Sequence, residues 1–230
     1  MMILYILEEK YRRNRFPTIA VLYSRMKKEL LFVVDPMCSW CWGFAPIIEK
    51  LRETMREEYI FSLVLGGLRT KGEMPWDERS KAYLAGHWQQ VAQRTGQVFS
   101  DRLFEKESYV YDTYPACKAV LTVRELFGMQ HAFTYLHTIQ EAFYARGEDI
   151  TNSAMLNALL DPSLDSTSFK RFFESDRAEV LMQHDFSKAR SMGANAFPSV
   201  VIIDEEGHMV CQKGYRSMLE MKKILEDYHA

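Results

Sequence analysis

Nowhere in the 230 residues is there a run of about eighteen uncharged apolar residues, so no membrane-spanning helix is expected. The apolar start, Met1 to Leu7, has no basic leader and no small-residue cleavage site, and it ends at Glu8, Glu9 and Lys10. It therefore lacks the parts of a secretory signal, and a cytoplasmic location is the expectation. Basic excess is missing too. With 29 Lys and Arg against 31 Asp and Glu, the net charge is −2, a poor match to phosphate backbones, so no nucleic-acid partner is expected. The basic residues near the start, among them Arg12, Arg13, Lys27 and Lys28, are too sparse for a polybasic anchor. Histidines at ligand spacing are also wanting, and no metal is assigned. Internal repeats and low-complexity tracts are absent. Cysteine is scarce: Cys38, Cys41, Cys117 and Cys211 contain one close pair. In a reducing compartment four such residues do not make a disulfide framework.

What is present is ample for a hydrophobic core. Apolar residues make up 47% and aromatics 13% of the chain. Residues 1–25 differ in character from the rest, an N-terminal extension whose status the sequence leaves open. Leu30 to Val34 is a continuous apolar run and reads as a buried strand, broken by Asp35–Pro36. Helical spacing of Phe44, Ile47, Ile48, Leu51 and Met55 predicts a helix over about 38–57. A second strand is predicted at 59–65, stopped by Gly66–Gly67. From Trp76 to Gly193 the patterns are helical, over about 77–95, 114–127, 131–145, 151–160, 166–174 and 176–192. Two strands of a hairpin follow, 199–203 and 209–213. A last helix starts near Ser217, where Ser217 and Glu220 form a capping box.

The pair Cys38-Ser39-Trp40-Cys41 falls where a strand hands over to a helix. The first helical turn offers free backbone N–H groups and a partial positive charge, both favouring a thiolate. The two-residue spacer brings the second sulfur within disulfide reach, one turn deeper. By this geometry Cys38 is the attacking thiol, and Cys41 resolves the mixed disulfide. Three plainer readings compete: half of a zinc site completed by Cys117 and Cys211, a buried inert pair, and an inactive relic of a redox domain.

Two further marks accompany the pair. Pro46 lies inside the helix, eight positions after Cys38, and Phe197-Pro198 immediately precedes the Ser199–Ile203 strand. Together these residues resemble the thioredoxin superfamily. The large helical insertion resembles the DsbA family. More narrowly, Asp35-Pro36-Met37-Cys38-Ser39-Trp40-Cys41-Trp42-Gly43-Phe44 is similar to the cytosolic FrnE-like branch with its protein-disulfide isomerase relatives. Asp112-Thr113-Tyr114-Pro115-Ala116-Cys117-Lys118-Ala119 resembles that branch's Asn-Thr-x-x-Ala-His-Arg segment, and Gly193 to Pro198 its Gly-x-x-Gly-x-Pro stretch. The resemblance spans about residues 29–228. It implies an α/β thioredoxin fold with a large inserted all-helical domain. Residues 26–72 and 193–230 would form the thioredoxin-like domain, and 73–192 the insertion.

The resemblance also implies a cis bond at Pro198 and a thiol–disulfide oxidoreductase acting on protein or peptide substrates. Ser39, Trp40, Phe197 and Pro198 would bind those substrates. No cofactor is implied beyond the redox-active pair, with glutathione a candidate co-substrate, and a monomer or homodimer is expected. The sequence departs from the family in three places. Many relatives carry a buried acid six residues before the first cysteine, where this chain has Phe32. Asp35 or water would then take the proton of the resolving thiol. Cys117 and Lys118 replace His and Arg. Ala196 replaces the second glycine of the proline loop. Asp35 and Cys117 are thus candidate auxiliary residues, with core packing the plainer reading of Cys117. Kappa-class glutathione transferases and chromene-carboxylate isomerases share the architecture. They supply the alternative, a glutathione-dependent transferase or isomerase on a small apolar substrate, although they usually carry serine at the first cysteine. Trp40, Trp42, Trp76 and Trp88, with Phe197, are candidates to wall an apolar groove beside the sulfur, with core packing an equal reading of Trp42. Cys211 reads as packing.

Overall fold

A computed structural model describes residues 28–72 and 74–228; the N-terminal extension lies outside the described residues. Strand β1 (Lys28–Val34) is followed by helix α1 (Ser39–Thr54) and strand β2 (Tyr59–Leu65). Seven helical stretches come next: α2 (Glu78–Thr95), a 3-10 turn (Asp101–Glu105), α3 (Tyr114–Phe127), α4 (Met129–Tyr144), α5 (Ser153–Ala158), α6 (Ser166–Phe173) and α7 (Asp176–Ser191). The hairpin β3 (Ser199–Ile203) and β4 (Met209–Lys213) and helix α8 (Met218–Tyr228) complete the order. The sheet runs β2-β1-β3-β4, with β1 parallel to β2 and antiparallel to β3. Among the described residues, no helix is long and apolar enough to cross a membrane.

The unbroken apolar run of β1 follows from cover on both faces. Leu30, Phe32 and Val34 point into the main core with Leu63, Leu65, Val200 and Ile202. Leu31 and Val33 point the other way, onto Val64, Val201, and Ala189 and Ala194 at the end of α7. Phe32, where an acid might have stood, is fully buried among Phe44, Phe61 and Phe133, with ring centroids 6.0–6.3 Å apart. No proton acceptor occupies that place.

Helix α1 ends three residues earlier than its apolar spacing suggests, with Met55 as C-cap. It crosses α2 closely at Gly43: a Cβ there would lie 2.8 Å from side-chain carbons of Val91 and Thr95. The helical block is tied to the sheet by a buried ion pair. Arg124 on α3 forks onto Asp185 of α7 at 2.7 and 3.0 Å and also donates to the Leu63 carbonyl. Asp185 in turn accepts from the Leu65 N–H of β2 at 3.0 Å.

Candidate active site

The site forms where β1 ends. Cys38 is the N-cap of α1, and its carbonyl accepts from the N–H groups of Cys41 and Trp42 at 2.9 and 3.1 Å. This closes the first turn around the pair and places Cys41 one turn inward. All four cysteines are free thiols. Cys38 and Cys41 are hydrogen-bonded to each other. Cys38 retains 6% exposure and borders a cavity, whereas Cys41 retains 1%. Burial pushes the Cys41 thiol well up. The hydrogen bond from Cys38 and its charge add to that, the Asp35 backbone opposes it, and the Asp35 carboxylate reinforces it.

Facing the pair is the loop before β3. The Phe197–Pro198 peptide bond is cis. The loop is held by Ser199, whose hydroxyl donates to the Ala196 carbonyl at 2.6 Å, and by Gly214, whose N–H donates to the Pro198 carbonyl at 2.8 Å. The Cys38 thiol lies 3.5 Å from the Phe197 carbonyl oxygen and donates to it.

Asp35 organises the floor. Its carboxylate, fully buried, accepts from the N–H groups of Met37 at 2.8 Å and Leu68 at 2.6 Å, from the Thr113 hydroxyl, and from the Cys117 thiol at 3.4 Å. These bonds join three segments: the turn after β1, the loop after β2 and the start of α3. Thr113 and Arg69 exchange two further bonds, Arg69 N–H to Thr113 Oγ1 and Thr113 N–H to the Arg69 carbonyl. Desolvation raises the Asp35 carboxyl above its ordinary value, against the lowering effect of its donors. Cys117, wholly buried, is pushed well up by burial first and by the Asp35 charge second.

The sequence residues therefore do not all meet. Cys38, Cys41, Phe197 and Pro198 converge with Ser39 and Trp40, which are half-buried on the rim. Asp35 and Cys117 meet beneath them. The groove of tryptophans is smaller than expected. Trp40, Trp88 and Phe197 line the Cys38 cavity, whose volume is about 190 Å³. Trp42 instead enters the helical core, stacks on Tyr144 and donates to the Val98 carbonyl. Trp76 is taken up by Phe104 and Tyr109 and donates to the Lys106 carbonyl. Both indole N–H groups find their partners away from the sulfur. Cys211 packs half-buried against the second core face. Among the cavity residues that the sequence reading did not place at the site are Arg69, His87 and Tyr111. Tyr111, whose hydroxyl donates to the Met37 carbonyl at 2.7 Å, fixes the turn that presents Cys38. Nothing local in the sequence signals these residues; the fold brings them in from separate segments.

This arrangement of a helix-mouth cysteine pair, a cis proline and a four-stranded sheet defines a thioredoxin-type fold with a helical block. The thioredoxin family model matches residues 31–223, and the chain belongs to that family. It is a DsbA-like member of the thioredoxin superfamily. The structure of a candidate protein disulfide isomerase from Nitrosomonas europaea superposes with a TM-score of 0.78 at 32% identity, covering 88% of this chain and 97% of that one. The cytosolic disulfide reductase DsbM of Pseudomonas aeruginosa superposes with a TM-score of 0.68 at 25% identity, covering 80% and 89%. DsbM has also been solved with glutathione. The ClpXP adapter protein SpxH of Bacillus subtilis is 26% identical over 180 residues, 77% of this chain and 59% of the adapter. The chain thus spans about three fifths of that relative's length.

Proposed function

We propose that this protein is a thiol–disulfide oxidoreductase that exchanges disulfides with protein or peptide substrates through Cys38 and Cys41. The observation that carries the reading is the placement of the Cys38 thiol: at the mouth of α1, hydrogen-bonded to Cys41, and 3.5 Å from the carbonyl that precedes the cis proline. Cys38 attacks a substrate sulfur and forms a mixed disulfide, expelling one thiolate. Cys41 then attacks the Cys38 sulfur, releases the second thiolate and leaves the Cys38–Cys41 disulfide. The two electrons pass from the dithiol to the substrate. Buried Cys41 must shed its proton for the second step, and Asp35, whose backbone and carboxylate both act on that thiol, is the group we assign to assist it. Ser39, Trp40, Phe197 and Pro198 form the docking rim, and the chemistry needs no resident cofactor. Glutathione fits as a co-substrate, and we place the protein in the cytosol, as the DsbM neighbour is.

Reduction of insulin disulfides by the pre-reduced protein tests this. Turnover in the wild type and its loss in a folded Cys38→Ser variant are expected. Full turnover in Cys38→Ser would contradict the assignment. Glutathione conjugation of a small apolar substrate without disulfide exchange would favour the transferase or isomerase alternative.

The SpxH relatives support a second reading, an adapter that presents a bound protein for degradation. In that reading binding survives Cys38→Ser and Cys41→Ser substitution; in the oxidoreductase reading, substrate capture requires Cys38.

A further inference from the structure

When Cys38 attacks a disulfide, the departing substrate sulfur carries the electron pair of the broken bond and needs a proton. The groups that serve Cys41 are not placed to give one. Neither Asp35 nor Cys41 lines the Cys38 cavity, and the Asp35 carboxylate is buried under four donors. The Ser39-Trp40 spacer brings no titratable group. Besides Cys38, the charged and titratable residues lining the cavity are Arg69, Tyr83, His87 and Tyr111, and no carboxylate is among them. Arginine does not release its proton in proteins. Tyr111 commits its hydroxyl proton to the Met37 carbonyl, and burial pushes its pKa up. Tyr83 is 55% exposed and sets its ring edge-on to His87, with centroids 4.5 Å apart. His87 is the one histidine of the lining, and histidine is the side chain suited to giving and taking a proton near neutral pH.

The helical block places this residue. Tyr83, Leu84, His87 and Trp88 recur at three- and four-residue spacing, so they share one face of α2, and all four line the cavity. Leu84 and Trp88 anchor that face in the core, whereas His87 between them is half-buried. Among the described residues, the His87 ring nitrogens have no hydrogen-bond or ion-pair partner. An imidazole that shares a cavity of about 190 Å³ with the attacking thiol, and is not engaged by protein, is free to meet a substrate sulfur. We propose that His87 is a catalytic residue of the first step, the general acid that protonates the departing substrate sulfur. This inference rests on the oxidoreductase reading of Cys38. The Cys38 thiolate forms a bond to the near sulfur of the substrate disulfide, and the S–S bond breaks. Its electron pair stays on the far sulfur, which takes the proton of the His87 imidazolium and leaves as a thiol. Neutral His87 regains a proton from the solvent. One S–S bond is broken and one is made, and the substrate disulfide is the only oxidant the step requires.

The test uses a Cys41→Ser background, in which the Cys38 mixed disulfide persists and is followed by mass. Three reagents are compared before and after adding His87→Gln, which keeps a polar side chain but cannot act as an acid. The first, 2-hydroxyethyl disulfide, releases an ordinary alkyl thiol. The second, bis(2,2,2-trifluoroethyl) disulfide, is also small and neutral, but its thiolate is stable without a proton. The third, iodoacetamide, alkylates Cys38 and releases iodide, which needs no proton. His87→Gln should slow the hydroxyethyl reaction by about tenfold or more and the other two by less than about threefold. The alkylation rate shows that Cys38 in the variant remains accessible and reactive. Equal slowing of all three reactions would show that His87 acts on Cys38 itself or on the shape of the cavity. No slowing of any would show that it takes no part. Either result overturns the proposal and leaves the oxidoreductase reading intact. Failure of both disulfides to react with the Cys41→Ser parent, while iodoacetamide reacts, overturns both.

Discussion

The Cys117 thiol donates to the Asp35 carboxylate at 3.4 Å inside the core, directly below the turn that presents Cys38. Buried three residues before the reactive cysteine, the acid is held by protein donors: two backbone N–H groups, a hydroxyl and a thiol all point at it. Desolvation nonetheless wins and raises its pKa in the folded state, so between the ordinary value of 3.8 and the raised one the folded chain holds a proton that the unfolded chain has lost. Its contribution to stability is therefore full below pH 3.8 and is lost as pH rises through the folded value. The destabilisation caused by Asp35→Ala, measured by urea unfolding from about pH 4 to about pH 8, should shrink as pH rises. A penalty that grows with pH would show that the carboxylate is held below its ordinary value instead.

Thiol reactivity should follow the burial order. Cys117 and Cys41 are wholly enclosed and both thiols are pushed well up, by burial first. Timed alkylation of the reduced native protein with iodoacetamide, read by peptide mass, should label Cys38 well before Cys41 and Cys117. Labelling of Cys117 ahead of Cys38 would contradict the placement of the attacking thiol and reopen Cys117 as a reactive auxiliary thiol.

The regular elements were legible because their signals are local. Strands 59–65, 199–203 and 209–213 and helix 114–127 begin and end where the apolar pattern and its breakers put them. The short Asp101–Glu105 turn escaped notice because Leu103 is its one buried side chain and five residues carry no period. At the site, Cys38 and Cys41 could be read from their spacing and Pro198 from its place before a strand. The partners of Asp35 could not, since Leu68, Thr113 and Cys117 come from segments 33 to 82 residues away. Trp76 was misplaced, and Trp42 left between groove and core, for a related reason. An indole beside a motif reads as groove or core equally well, and its hydrogen-bond partner, Val98 or Lys106, decides the matter only in three dimensions.

The ion pair between α3 and α7 should matter most to folding. Asp185→Ala strands the nearly buried Arg124 guanidinium and frees the Leu65 N–H, at a cost of about 3–5 kcal/mol. Replacing both residues with apolar ones of similar size should cost less than Asp185→Ala alone. Chemical denaturation of the wild type and the two variants checks this, and a double variant at least as unstable as Asp185→Ala would contradict it.

Gly66 is the seat of the Phe197 ring. A Cβ on Gly66 would sit 2.0 Å from that ring, at a place where the backbone itself needs no glycine. Gly66→Ala should therefore displace Phe197, cost about 1–3 kcal/mol and slow disulfide exchange more than Gly86→Ala, a helix glycine with open space around it. Equal effects of the two substitutions on exchange would mean that Phe197 does not shape the docking rim.

The direct test of the account is a redox titration of the protein in glutathione buffers, with free thiols counted and disulfides mapped at each step. The expected result is one two-electron transition that consumes the Cys38 and Cys41 thiols together, reverses on reduction and disappears in Cys38→Ser. A protein that keeps both thiols under oxidising buffer, or that pairs either of them with Cys117 or Cys211 instead, would contradict it.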